Sequence, residues 1–145
     1  MLDAKKRILV PVNGGPTDAT VVSLAIQTAK KSKAQVYAIY VIEVRRTLPL
    51  DADIPQERGF ADGVLDQVEQ IADEAEQPIE TEILQARDIG TAIVEEAVEA
   101  KADLILLGMP YRRKFGEFDL GRTIPYVLKN APCEVWLCRE PITSK

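Results

Sequence analysis

A single α/β domain built on a five-stranded parallel sheet is what this sequence predicts, and three observations carry the prediction. The chain has 145 residues, the usual size of one domain, and at that length one core forms without disulfide or metal staples. Short apolar runs alternate along it with amphipathic stretches of helical period. The resulting order, β-α-β-α-β-α-β-loop-α-β, places helices over a parallel sheet, because parallel neighbours require crossover connections. No internal repeat, low-complexity tract or linker interrupts the chain, so residues 1–145 read as one domain.

The first run, Ile8-Leu9-Val10-Pro11-Val12, is short, rich in β-branched residues and closed by Asn13-Gly14-Gly15, which marks a buried strand. Pro11 donates no ladder hydrogen bond and fits best near the strand's end, where pairing lapses. Thr17 or Asp18 caps a helix with Val21, Leu24, Ala25, Thr28 and Ala29 on one face. That helix ends in Lys30-Lys31-Ser32-Lys33, cations at the negative end of its dipole. Val36 to Ile42 is the second strand, and an irregular stretch from Glu43 to Pro55 follows it.

Helix resumes near Gln56 and runs to Glu76, with Phe60, Val64, Leu65, Val68, Ile71 and Ala72 recurring at three- and four-residue steps. Gly59 and Gly63 weaken its first half and Pro78 ends it. Ile79 to Leu84 alternates apolar and polar, the pattern of a half-exposed strand near a sheet edge. Asp88 or Thr91 caps a third helix with Ile93, Val94, Ala97 and Val98 inward. Asp103 to Leu107 is apolar on both faces, as a central parallel strand should be, and Gly108 follows it. Met109 to Leu120 reads as a loop, Ile124 to Asn130 as a short helix, and Glu134 to Arg139 as the last strand.

Composition excludes several classes of function. Hydrophobic residues make up 46% of the chain and charged residues 28%, the profile of an ordinary soluble globule. A net charge of −5 argues against general binding to nucleic acid or anionic membranes. No apolar run approaches the ~18 residues of a membrane span, so direct membrane insertion is not expected. Met1 to Arg7 lacks the apolar segment of a signal peptide, and a cytoplasmic location is the expectation. The absence of histidine removes the usual general base and the commonest zinc ligand. Cys133 and Cys138 have neither zinc nor CxxC spacing, and their odd separation puts them on opposite faces of a strand, too far around to bridge. No catalytic residue and no metal ligand set is expected.

Ligands of open doubly wound sheets sit beyond the carboxyl ends of the strands, at the topological switch point. Here that point joins the loop after strand one to the loop after strand four. Those loops hold five of the eight glycines: Gly14, Gly15, Gly108, Gly116 and Gly121. Glycines let backbone amides approach an anion, and a helix N-terminus adds dipole and free N–H groups; each glycine also has a plain reading as a turn or cap. Neither GxGxxG after the first strand nor GxxxxGK[ST] anywhere is present. A receiver-type phosphotransfer domain needs clustered carboxylates at the mouth, yet strand one ends in Asn13 and strand three in Leu84-Gln85.

The second loop runs from Gly108 through Gly121-Arg122-Thr123, and there the sequence resembles the universal stress protein family. Nucleotide-binding members of that family carry G-x-x-G, nine residues, then G-[ST] after the fourth strand. The resemblance extends over essentially the whole chain, through Ile8 to Gly14, Val41-Ile42-Glu43, Ala102 to Ile105 and Val127 to Cys133. It implies a flavodoxin-like three-layer sandwich with strand order 3-2-1-4-5. It further implies ATP or AMP as ligand, with Mg as an optional companion. Gly108 and Gly121 match the first and third glycines, which wrap the phosphates; Tyr111 stands at the middle glycine and Arg122 at the hydroxyl position, with Thr123 one place late. Asn13 stands where an Asp is usual near the nucleoside, and Val41 matches a position whose backbone lies beside adenine. The nucleotide-site residues implied are therefore Pro11, Val12, Asn13, Gly14, Val41, Gly108, Met109, Arg112, Gly121, Arg122 and Thr123.

Charge supports an anion at this mouth. Arg112, Arg113, Lys114 and Arg122 against Glu117 and Asp119 leave residues 111–123 at +2, and the rest of the chain at −7. Arg122 would replace a hydroxyl's hydrogen bond with a charge-assisted fork, and Thr123 would cap the following helix with Pro125 in its first turn. Two other readings stay open: a solvated or protein-docking basic loop, and a cleft filled by Tyr111, Phe115 and Phe118. The last strand, with the only tryptophan, ends the sheet and offers an edge for another chain. Similar proteins form homodimers through this edge, which makes Val135, Trp136, Leu137 and Cys138 interface candidates; the alternative is that Trp136 packs under a helix. The function expected is regulatory adenine-nucleotide binding by a cytoplasmic homodimer with at most slow ATP hydrolysis. The rival is a non-nucleotide interaction or transporter-regulatory module, using the basic loop and residues 43–55, since similar domains also occur appended to transporters.

Overall fold

The central strands are buried because both of their faces are apolar, and everything else is arranged around them. A computed structural model describes residues 6–111, 113–114, 117–118 and 120–142, the four in the two short pairs by backbone alone. Its elements are β1 (Arg7–Val12), α1 (Asp18–Ser32), β2 (Gln35–Glu43), α2 (Pro55–Glu74), β3 (Ile79–Ala86) and α3 (Ile89–Glu99). These are followed by β4 (Leu104–Met109), β5 (Arg113–Lys114), β6 (Glu117–Phe118), α4 (Thr123–Asn130) and β7 (Glu134–Arg139). The main sheet has the order β3-β2-β1-β4-β7, parallel throughout, which is the predicted 3-2-1-4-5 once β7 is counted as its fifth strand.

Successive residues of each strand feed opposite cores. Ile8, Val10, Leu104 and Leu106 pack with α1 and α2 on one face, and Leu9, Ile105 and Leu107 with α3 and α4 on the other. Cys133 and Cys138 also serve opposite cores, and they do not bridge each other. β1 stays paired to β2 as far as Val12, but its ladder to β4 covers only Ile8 and Leu9. Pro11 thus falls where the β4 pairing has lapsed, and the diverging strand ends open a crevice.

The helix faces needed correction. α1 buries Val22 and Ile26 beside Val21, Ala25 and Ala29, while Leu24 and Thr28 are only half-buried, because the helix must meet both the sheet and α2. In α2, Ala61 is buried and Phe60 is 56% exposed at the rim. In α3, Val98 is 58% exposed whereas Gly90 and Ala92 are buried, since α4 crowds the helix start and Tyr126 lies over Gly90. Gly108 and Met109 belong to β4, paired with Cys138 and Arg139, rather than to a loop. Part of that expected loop is an antiparallel ribbon, Arg113 opposite Phe118 and Lys114 opposite Glu117. Among the described residues no helix is long and apolar enough to cross a membrane.

Candidate functional site

Where β1 and β4 part, their carboxyl ends and the end of β2 enclose a cavity of about 270 Å³. Of the expected nucleotide residues, Pro11, Val12, Asn13, Val41, Gly108, Met109, Arg122 and Thr123 line it. Gly14 and Gly121 do not belong to the lining, and Arg112 lies outside the described residues, as do Phe115, Gly116 and Asp119. Sequence reasoning missed an apolar wall of Ile89, Ile93, Leu107, Leu120 and Ile124. The four-residue step from Ile89 to Ile93 was the available signal, for it puts both on the α3 face that meets β2.

The β1–α1 side of the cavity is closed upon itself. Asp18 accepts from the amides of Asn13 (3.3 Å) and Gly14 (2.7 Å), and the Asn13 side chain accepts from the Gly15 amide at 2.7 Å. Thr17, the N-cap of α1, makes no side-chain capping bond, and the Asp18 carboxylate, in the first turn, reaches back to the turn before the helix. Burial pushes the Asp18 carboxyl above its ordinary 3.8, and the two amides work against that shift. Gly14 has φ +84°, a conformation that favours glycine, and a Cβ there would lie 2.7 Å from the exposed Phe60 ring, which can give way. The amides expected to receive an external anion are thus already used by an internal carboxylate.

The β4–α4 side is different. A Cβ on Gly108 would stand 2.5 Å from Thr17 Oγ1 and 3.0 Å from Val21, so glycine there lets β4 lie against the start of α1. Gly121 turns the chain into α4 with φ +72°. Arg122 is the N-cap and Thr123 the first helical residue, which corrects the expectation that Thr123 caps; the N-cap side chain makes no capping bond. The Arg122 guanidinium donates to Glu43 Oε2 at 3.3 Å and has its Nε 3.8 Å from Asp88 Oδ1. Asp88 caps α3 through its other oxygen, accepting from the Thr91 amide (2.9 Å) and hydroxyl (2.8 Å). The Thr91 amide first, its hydroxyl next and Arg122 last hold the Asp88 carboxyl below the usual range, against some desolvation. Tyr111 does not fill the cleft: its amide donates to Glu140 at 2.9 Å, and the Arg139 guanidinium stands 5.1 Å from its ring centre. The side chain of Phe118 lies outside the described residues.

Residues 5–139 match the model of the universal stress protein family. The chain belongs to that family. It is 33% identical over 144 residues to universal stress protein MJ0531 of Methanocaldococcus jannaschii, covering 94% of this chain and 83% of the relative. Among solved universal stress proteins, one from Archaeoglobus fulgidus in complex with dAMP superposes with a TM-score of 0.74 at 18% identity, over 92% of this chain and 98% of that one. Another, in complex with cAMP, gives 0.72 at 20% identity over 94% and 98%. At those identities the likeness concerns the fold.

The universal stress protein sheet ends here in β7. Leu137 is 37% exposed, while Trp136 and Cys138 pack half-buried against the α1–α2 core and Val135 against the other. Trp136 Nε1 donates to Glu134 at 2.8 Å. Trp136 therefore contributes to the core of its own chain, and the strand's outer edge is paired with no other described strand. Among the described residues no group of three His, Cys, Asp or Glu side chains is placed to hold a metal.

Proposed function

We propose that this protein is a cytoplasmic stress or regulatory protein that binds an adenine nucleotide, ATP or AMP, in the cavity between β1 and β4. The observation that carries this reading is the cavity's polarity. Apolar residues Val41, Ile89, Ile93 and Leu107 suit a base, while Arg122 stands at the α4 end where phosphates would lie. Two solved members of the same fold hold dAMP and cAMP, which supports a small adenine nucleotide as the ligand class. Asn13 and the Val41 backbone then face the nucleoside, and Gly108, Met109, Arg122 and Thr123 face the phosphates. Gly121 turns the chain into that end, Gly14 shapes the turn behind Asn13, and Mg accompanies ATP as an optional companion. The site offers binding without an evident general base, so turnover is at most slow ATP hydrolysis.

Titration calorimetry with ATP, AMP and adenosine tests the reading. Saturable binding of a nucleotide is expected, and absence of binding by all three at millimolar concentration overturns it. The homodimer belongs to the same proposal, through the outer edge of β7 with Leu137 at its centre and Val135, Trp136 and Cys138 behind it. Sedimentation of Leu137→Arg, at the exposed centre of that edge, is expected to show loss of the dimer; an unchanged association state removes the edge-strand interface. A second reading, a non-nucleotide interaction module, is favoured by Leu48 and Leu50, which are 39% and 47% exposed between β2 and α2. Failure of the calorimetric test leaves that reading in its place.

A further inference from the structure

We propose that Glu43 and Asp88 compete with the ligand's phosphates for Arg122, so that the site carries its own brake on anion binding; this rests on the nucleotide reading above. Arg122 is a cation at the N-cap of α4, the end of a helix where the dipole disfavours positive charge. Two carboxylates compensate for that placement. Glu43 comes from the last position of β2 and Asp88 from the cap of α3, so strands and helices that pack independently converge on one guanidinium. Asp88 divides its oxygens, one on Thr91 and the other toward Arg122, and cannot turn away without uncapping α3. Arg122 lines the cavity and is 77% exposed, and its two carboxylate partners are themselves accessible, Glu43 at 43% and Asp88 at 39%.

Such an exposed bridge is weak and exchangeable, which is what an internal competitor requires. An arriving phosphate offers Arg122 a charge-assisted fork and releases Glu43 to water. Adenosine, with no phosphate, has no reason to open the bridge. The carboxylates therefore lower affinity for phosphorylated ligands and leave the nucleoside contribution alone.

Calorimetry with ATP and adenosine on the wild type, Glu43→Gln, Asp88→Asn, Arg122→Ala and the Glu43→Gln/Arg122→Ala double variant tests the proposal. Asparagine keeps the α3 cap, so Asp88→Asn removes charge without removing the helix start. Glu43→Gln is expected to tighten ATP roughly two- to five-fold, the scale of one exposed ion pair. Asp88→Asn is expected to do less, and adenosine is expected to be unmoved by either. The Glu43→Gln gain should vanish when Arg122 is already alanine. An unchanged ATP affinity in Glu43→Gln overturns the competition, as does the same gain in the Arg122→Ala background, which would be plain removal of negative charge. No binding of ATP or adenosine to any variant overturns the nucleotide reading and the competition together.

Discussion

The two connections that flank the cavity are both rich in glycine, and they spend their polar groups in opposite ways. After β1, Gly14 takes a left-handed φ of +84° and its amide, like that of Asn13, is given to the carboxylate of Asp18. Before α4, Gly121 takes a left-handed φ of +72°, and the residue beyond it is a cation bridged to Glu43 and Asp88. Similar backbone conformations thus serve an internal anion on one side and an internal cation on the other. Glycine content marks where a turn can form; the charge that the turn presents is set by whichever side chain arrives there.

The comparison can be broken most strongly at the β4 end. Gly108→Ala is expected to cost about 1–3 kcal/mol, because the added methyl overlaps Thr17 and Val21 in a packed layer, and chemical denaturation measures it. Gly14→Ala is expected to cost about 1–2 kcal/mol from the left-handed backbone, with the exposed Phe60 ring free to yield. The same variant should weaken ATP less than Arg122→Ala does, since the Gly14 amide already serves Asp18. Arg122→Ala is the converse. It is expected to weaken ATP binding by roughly ten-fold and to leave stability within about 0.5 kcal/mol, as its side chain is largely exposed.

The smallest effect is on pH dependence, and its sign separates the two sides. Asp18 has a raised carboxyl, so its favourable contribution to stability is complete below 3.8 and is lost as pH rises through the raised value. Asp88 has a lowered one, so its contribution is present above 3.8 and is lost as pH falls through the lowered value. Denaturation series between acid and neutral pH, with Asp18→Asn and Asp88→Asn set against the wild type, should therefore give slopes of opposite sign. Slopes of the same sign would remove the distinction.

Much of the fold was legible residue by residue. The last strand was bounded at Glu134 and Arg139 from its apolar run alone, and the sheet order followed from the family resemblance. The switch-point rule pointed to the connections after β1 and β4, and the family resemblance added Val41 from β2; Asn13, Val41, Gly108 and Arg122 line one cavity. Burial direction was less legible. Phe60 and Val98 fit the helical period yet face outward, because periodicity names an apolar stripe without saying where neighbouring helices will cover it. The amides of Asn13 and Gly14 looked open because the spacing to Asp18 was read as a helix cap rather than as an acceptor bent back over the turn.

By itself the sequence determined the alternation of strands and helices, the central burial of β1 and β4, the glycines at the two turns and the +2 segment in an acidic chain. These depend on local period, local backbone freedom and charge counting, all of which act over a few residues. Only the tertiary structure decided that Asp18 fills its own turn and that Arg122 meets Glu43, 79 residues away along the chain, and Asp88 besides. The physical reason is that such pairs are not specified by spacing. They exist because the β1–β4 divergence, the end of β2 and the starts of α3 and α4 are packed against one sheet, and side chains with no local relation are brought within a few ångströms.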